Sequence, residues 1–315
     1  MATASIPHPG GRPFVTDGGL ETDLIYHHDA DLPAFAAFPL VEDDGGRAVL
    51  RSYYEEYAAV ARRAGIGLLL ETPTWRANPD WGDALGYDRR GLDRVNQASV
   101  AMLADLREAT PEVDEVLVSG VVGPRGDGYV PGERMHPDEA AAYHASQAHS
   151  FAVAGADLVT ALTLTTPEEG IGVVRAARDA SLPVAISFTV ETDGRLPDGT
   201  PLREAIDQVD ATDGPDYFLV NCAHPTHLEP ALEDGEGDGA WRGRILGLRP
   251  NASQLAHADL DAAEELDDGD PAELAVDTHR LRSSLPNLQV LGGCCGTDSR
   301  HVAAMWGVLS GPRRL

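Results

Sequence analysis

The chain has no lysine: its 24 basic residues are all arginine, set against 51 acidic ones. Schiff-base aldolases, pyridoxal enzymes and P-loop nucleotide enzymes place a lysine amine at the reacting centre, so those classes fall away. Positive charge is scarce overall. A net charge of −27 repels a phosphate backbone and speaks against a nucleic-acid partner. The acidity is spread along the chain, with dense stretches at 233–238 and 261–270 that read as solvated loops and helix faces. High internal salt would screen that self-repulsion, so a halophilic setting is the preferred reading. With three cysteines, two of them adjacent, there is no disulfide framework of the secreted kind, and reduced thiols with a specific task are expected. No apolar run approaches the roughly 20 residues that cross a bilayer. The opening MATASIPHPG lacks the basic-then-apolar pattern of a signal peptide. A soluble, cytoplasmic protein with no membrane partner is the expectation, and a homo-oligomer is left open.

What is present is a repeating pattern. Short apolar, β-branched runs occur at 14–17, 67–72, 116–121, 158–163, 184–189, 217–222, 245–249 and 288–292. Amphipathic stretches lie between them, at 51–64, 92–108, 138–154, 167–179, 202–208 and 270–283. Alternating strands and helices indicate a parallel sheet with crossover helices, and eight units in 315 residues favour an α/β fold closed as a (β/α)8 TIM barrel, one domain over 1–315. The loops after the second and third strands, 73–88 and 123–136, are long and rich in Gly, Pro, Trp and Arg. Barrel active sites are built from such loops at the C-terminal face, so both are candidate substrate walls or lids. The acidic segment 232–239 reads as an insertion without a catalytic role.

Every cysteine falls at the C-terminal end of an expected strand: Cys222 closes YFLVNC, and Cys294 and Cys295 follow the last strand in LGGCCG. A barrel brings those ends to one face. Neighbouring residues of a regular strand point to opposite sides, so the adjacent pair can serve one ion only if the backbone bends, which Gly292, Gly293 and Gly296 permit. Thr297 and Asp298 are candidate N-caps for a helix over 300–308 whose positive end would face the thiolates and lower their pKa. Three thiolates suit zinc and leave a fourth position for an exchanging ligand, the layout of a catalytic site. A rival grouping of Cys222 with His224 and His227 also has metal-like spacing, but leaves the paired cysteines without a purpose.

With these motifs assembled, the chain resembles the homocysteine S-methyltransferase family. The strongest pieces are Val220-Asn221-Cys222-Ala223-His224-Pro225 and Gly292-Gly293-Cys294-Cys295-Gly296-Thr297. Asp17-Gly18-Gly19-Leu20-Glu21-Thr22, Glu71-Thr72-Pro73-Thr74 and Val122-Gly123-Pro124-Arg125 support them. The resemblance implies zinc on Cys222, Cys294 and Cys295, with homocysteine held by the strand-one Asp-Gly segment. The substrate-binding candidates are Asp17, Gly18, Gly19, Glu21, Glu71, Thr72 and Asn221. One departure stands out. The family presents a Glu-Thr pair at the end of strand four, where the Glu helps recognise the substrate amino group, whereas 160–167 here contains no carboxylate before Glu168. Either Glu21 or Glu71 compensates, or the acceptor is another thiol.

The expected chemistry follows from the thiol. An ordinary thiol is mostly protonated at neutral pH and attacks only as the thiolate, which zinc coordination would generate and orient. Methyl transfer from a small sulfonium or ammonium donor would give methionine. S-methylmethionine or S-adenosylmethionine is the first expectation and betaine the second, since the chain has no length for cobalamin and folate modules. Asp17, Glu71, Trp75 or Trp81 are candidates to stabilise a cationic donor. The alternatives are methylation of a different thiol or selenol, or a non-catalytic barrel stabilised by zinc.

Overall fold

Eight parallel strands pair in chain order and close on themselves in the computed structural model, which describes residues 5–310 apart from 131, 133, 213, 234–238 and 264. They are β1 (Phe14–Val15), β2 (Gly67–Glu71), β3 (Val116–Val122), β4 (Leu158–Leu164), β5 (Val184–Phe188), β6 (Tyr217–Asn221), β7 (Ile245–Arg249) and β8 (Val290–Leu291). The last strand pairs with the first, Phe14 opposite Val290 and Val15 opposite Leu291. This is a (β/α)8 barrel. The runs are near-continuously apolar because helices cover one face and the barrel interior fills the other, so β2, β4, β5 and β6 are buried throughout.

Side chains alternate along each strand, and the inward set is layered. Phe14, Leu69, Leu117, Leu158, Ala185 and Tyr217 belong to one apolar cluster that plugs the N-terminal end. Two residues further along each of those six chain segments stand Thr16, Glu71, Ser119, Thr160, Ser187 and Leu219, and five of these six are polar. Four of them pair: Ser119 Oγ and Thr160 Oγ1 lie 2.7 Å apart, and Thr16 Oγ1 donates to Glu71 Oε2 at 2.5 Å. The barrel thus changes from oil to polar floor in one step of the pleat, and the cavity opens above that floor.

Several boundaries depart from the sequence reading. The first and last strands shorten to two residues each, because beyond Val15 and Leu291 the chain turns into the site while still cross-bonded, Gly293 N donating to Asp17 O at 2.7 Å. The helix expected over 51–64 begins at Asp44, with Asp43 accepting from Gly46 N as its cap. The loop 73–88 contains a helix, Pro79–Ala84, capped by Asn78. Further helices at Leu20–His28, Pro225–Glu233 and His257–Asp261 carried too little periodicity to be read. The helix expected over 300–308 is Ser299–Met305, capped by Asp298 in a reciprocal box with His301. Of the acidic insertion 232–239, residues 234–238 lie outside the described residues. No described helix is long and apolar enough to cross a membrane.

Candidate active site

Over the polar floor lies a cavity of about 400 Å³, and all three cysteines line it. Their sulfurs lie within 4.8 Å of one another, with Cys222 Sγ 3.6 Å from Cys295 Sγ. Three thiolates at about 2.3 Å from one zinc would stand about 3.8 Å apart in a tetrahedron, so the set fits such an ion with minor adjustment. The rival histidines point elsewhere: His224 Nδ1 lies 2.8 Å from Thr226 Oγ1, and His227 Nε2 lies 2.9 Å from Gln254 O.

The backbone is bent to achieve this convergence. Cys222 adopts φ 57° and Gly296 φ 78°, both left-handed. For a non-glycine residue that conformation costs about 1–2 kcal/mol, and the surroundings hold Cys222 in it. Its carbonyl accepts from His257 Nε2 at 2.6 Å, Asn251 Nδ2 at 3.1 Å and Thr189 Oγ1 at 3.2 Å. Thr163, at the end of β4, is also left-handed at φ 63°, with a register shift in the β4–β5 ladder beside it. Asn221 bridges the two strained positions. Its Oδ1 accepts from Thr163 N at 2.8 Å and Ser187 Oγ at 2.6 Å, while Nδ2 donates to Thr163 Oγ1 at 2.8 Å and toward Cys294 Sγ at 3.7 Å.

The three thiols do not share protons equally. Cys294 is held well below the ordinary thiol range, chiefly by hydrogen bonds from Cys222 and Cys295, with Arg249 and Asn221 adding to them against burial. Cys222 is pushed up because it is the donor to both neighbours and is buried. At Cys295 the bond from Cys222 pulls down, but the bond to Cys294 and burial outweigh it. Of the three, Cys294 is the sulfur whose surroundings most favour the thiolate form. Tyr129 closes the group from above, its hydroxyl 2.9 Å from Cys222 Sγ and 3.6 Å from Cys295 Sγ, its ring stacked on His257 at 4.1 Å.

A second triad stands beside the sulfurs, and only part of it was expected. Arg249, closing β7, donates to Asp17 Oδ1 at 2.6 Å, to Glu71 Oε2, to Gly293 O at 2.9 Å and to Gly18 O at 3.0 Å. Burial alone would weaken its hold on the proton, but Asp17 and Cys294 outweigh that and the guanidinium stays charged. Tyr53 donates to Asp17 Oδ2 at 3.2 Å. Asp17 is nonetheless raised above the usual carboxylate range, burial exceeding the help of Arg249.

The remaining expected residues divide. Gly18 and Gly19 line the cavity where side chains do not fit, since a Cβ on Gly19 would come within 2.5 Å of Cys294 O. Glu21 also lines it, and burial pushes its carboxyl up to about 7, with the negative Cys294 and Asp17 adding to the effect. Thr72 lines it too, but its hydroxyl accepts from Val121 N at 2.8 Å and meets Thr74 Oγ1 at 2.6 Å. The loops 73–88 and 123–136 do supply walls, through Trp75, Arg76, Asp127 and Tyr129. Trp75 and Trp81 already face a cation of the chain, because the Arg76 guanidinium lies 4.2 Å and 3.7 Å over their rings. The stretch 261–270 is more than a solvated face, for Ala263, Glu265, Leu266 and Asp267 line the cavity. Arg249 and Tyr129 were not singled out from sequence. A charged residue ending the apolar run ILGLR was the signal available for Arg249.

A barrel that gathers thiols from two strand ends beside a charged triad matches the model of homocysteine S-methyltransferases over residues 14–309, and the chain belongs to that family and to the methyltransferase class. A homocysteine S-methyltransferase of Escherichia coli strain K12 is 26% identical over 314 residues, covering 93% of this chain and 94% of that one. Crystal structures of the homocysteine methyltransferase MmuM from Escherichia coli share the fold. The oxidized form superposes with a TM-score of 0.74 at 22% identity, and the metallated form with 0.72 at 23%, each covering 95% of this chain and 96% of the other.

Proposed function

We propose that this barrel transfers a methyl group from a small sulfonium or ammonium donor to the thiol of homocysteine, giving methionine, with zinc held by Cys222, Cys294 and Cys295. The observation that carries the reading is the convergence of three sulfurs within 4.8 Å on a cavity wall. The metallated form of the Escherichia coli relative supports it. Zinc on three thiolates would supply a Lewis acid that favours the deprotonated form of an incoming thiol. The chain's own residues do the rest. Arg249 and Asn221 add to the forces that favour a thiolate at Cys294, and the cavity walls would hold acceptor and donor in line. A carbon–sulfur bond forms to homocysteine as the donor's methyl–sulfur or methyl–nitrogen bond breaks. The bonding pair leaves with the donor atom, and the thiol proton passes to solvent. S-methylmethionine or S-adenosylmethionine is the preferred donor and betaine the second.

Zinc content and methyl transfer from S-methylmethionine, measured on the wild type and Cys294→Ser, test this reading. About one zinc per chain is expected for the wild type, with loss of both metal and turnover in the variant. Turnover retained in Cys294→Ser removes the mechanism. A different thiol or selenol acceptor is favoured by one observation, that β4 ends in Leu162-Thr163-Leu164 without a carboxylate, and a panel of thiols separates the two acceptors. We further infer a salt-rich cytoplasm as its setting, on the net charge of −27. Thermal stability that rises with potassium chloride supports this, and stability indifferent to salt counts against it.

A further inference from the structure

The cavity needs an anion for the amino end of an amino-acid substrate, and the carboxylates around it differ in how far they are already committed. Both oxygens of Asp17 are engaged, one by Arg249 and the other by Tyr53. Asp127 has one oxygen on the backbone N–H groups of Tyr129 and Val130, and its other oxygen 3.8 Å from Arg76. Glu21, with its carboxyl raised to about 7, is a partly protonated partner near neutrality. Glu71 differs from all of these. It is 2% exposed and lines the cavity; its Oε2 takes Thr16 and Arg249, while its Oε1 is buried with no hydrogen-bond partner among the described residues.

Charge points the same way. Two carboxyl groups share the single guanidinium of Arg249, and of their four oxygens Glu71 Oε1 is the one without a donor among the described residues. A buried carboxylate oxygen without a donor is unfavourable, and a cationic N–H group from a ligand offsets that cost most strongly. The end of β4 offers no competing anion: Leu162 is apolar, and the Thr163 hydroxyl already takes Asn221 Nδ2.

We propose that Glu71 Oε1 seats the α-ammonium group of the thiol substrate, so that its amino end is recognised from β2. Arg249 is the positioning residue that fixes Glu71 by gripping Oε2. The assignment rests on the reading that the acceptor is homocysteine and specifies how this chain holds it.

The test compares homocysteine with its des-amino analogue, 4-mercaptobutanoate, as methyl acceptors for wild type and Glu71→Gln. Glutamine can keep its carbonyl oxygen toward Thr16 and Arg249, which places an NH2 group where Oε1 stood. In wild type kcat/KM favours homocysteine by about 30–100-fold, and in Glu71→Gln that preference collapses to about threefold or less, chiefly through KM for homocysteine. Turnover of the analogue by the variant serves as the check that it folds. Arg249→Lys, which keeps a cation without the fork, weakens the preference by a smaller factor. A second measurement needs only wild type: methionine inhibits about 30-fold more tightly than 4-(methylthio)butanoate. A wild type that prefers homocysteine while Glu71→Gln keeps the full preference overturns this assignment alone. A wild type that uses or binds the two series equally overturns it together with the homocysteine reading.

Discussion

Two triads face one cavity, and they are held by opposite means. Cys222, Cys294 and Cys295 come from the ends of β6 and β8 and bond mostly to one another and to neutral groups, Tyr129 and Asn221. Asp17, Glu71 and Arg249 come from the ends of β1, β2 and β7 and are tied by full charges in a buried setting. On the proposed reading, the sulfur triad would take an added cation to balance its thiolates. The charged triad carries its own. The difference separates a group that the proposed zinc would complete from one that is nearly complete by itself and, among the described residues, lacks a partner at a single oxygen.

The largest effect in this comparison is expected on the sulfur side, where Cys294→Ser removes a ligand and, on the proposed mechanism, at least about a thousandfold of activity, or roughly 4 kcal/mol. Folding should suffer less. The charged side should show the reverse emphasis. Arg249→Met leaves Asp17 and Glu71 buried without their cation and is expected to cost about 3–5 kcal/mol of stability, read as a lowered urea midpoint. Adding Glu71→Gln to that variant removes one stranded charge and should recover part of the loss. A drop below about 1 kcal/mol in the single variant would mean that water already screens the triad.

The same contrast explains what could be read in advance. The sulfur triad was legible because the chain has only three cysteines and each follows an apolar run. The charged triad was not, since Arg249 is one of 24 basic residues and pairs with partners 232 and 178 positions away. Asp17 and Glu71 were singled out through their motifs, without their cation. The barrel was legible because buried parallel strands are apolar on both faces, as the GLLLE of β2 shows. Its edges at β1 and β8 were overestimated, because β-branched Thr16 and the glycines Gly292 and Gly293 continue past the ladder into the turns that carry Asp17 and Cys294. The helix Leu20–His28 stayed hidden because its first residues also line the cavity, so its sequence follows the site as much as a helical face.

The smallest expected effect concerns Glu21, which feels both triads. Burial pushes its carboxyl up to about 7 from an ordinary 4.5, and the charges of Cys294 and Asp17, one from each triad, push in the same direction. A carboxyl whose folded pKa lies above its unfolded value stabilises the fold through its protonated form. That contribution is fully present below pH 4.5 and is lost as pH rises through about 7. Glu21→Gln stays neutral at every pH, so the variant should match wild type in acid and become the more stable of the two toward pH 8. Because the side chain lies at an open cavity wall, the difference should be on the order of 1 kcal/mol. Denaturation curves at stepped pH give the comparison, and an offset that does not change with pH would show that the carboxyl titrates like a solvated one. The two triads can then be weighed against each other. Cys294→Ser and Asp17→Asn each remove one of the charges acting on Glu21, and whichever shifts the window further toward acid identifies the triad that contributes more to the negative field of the cavity.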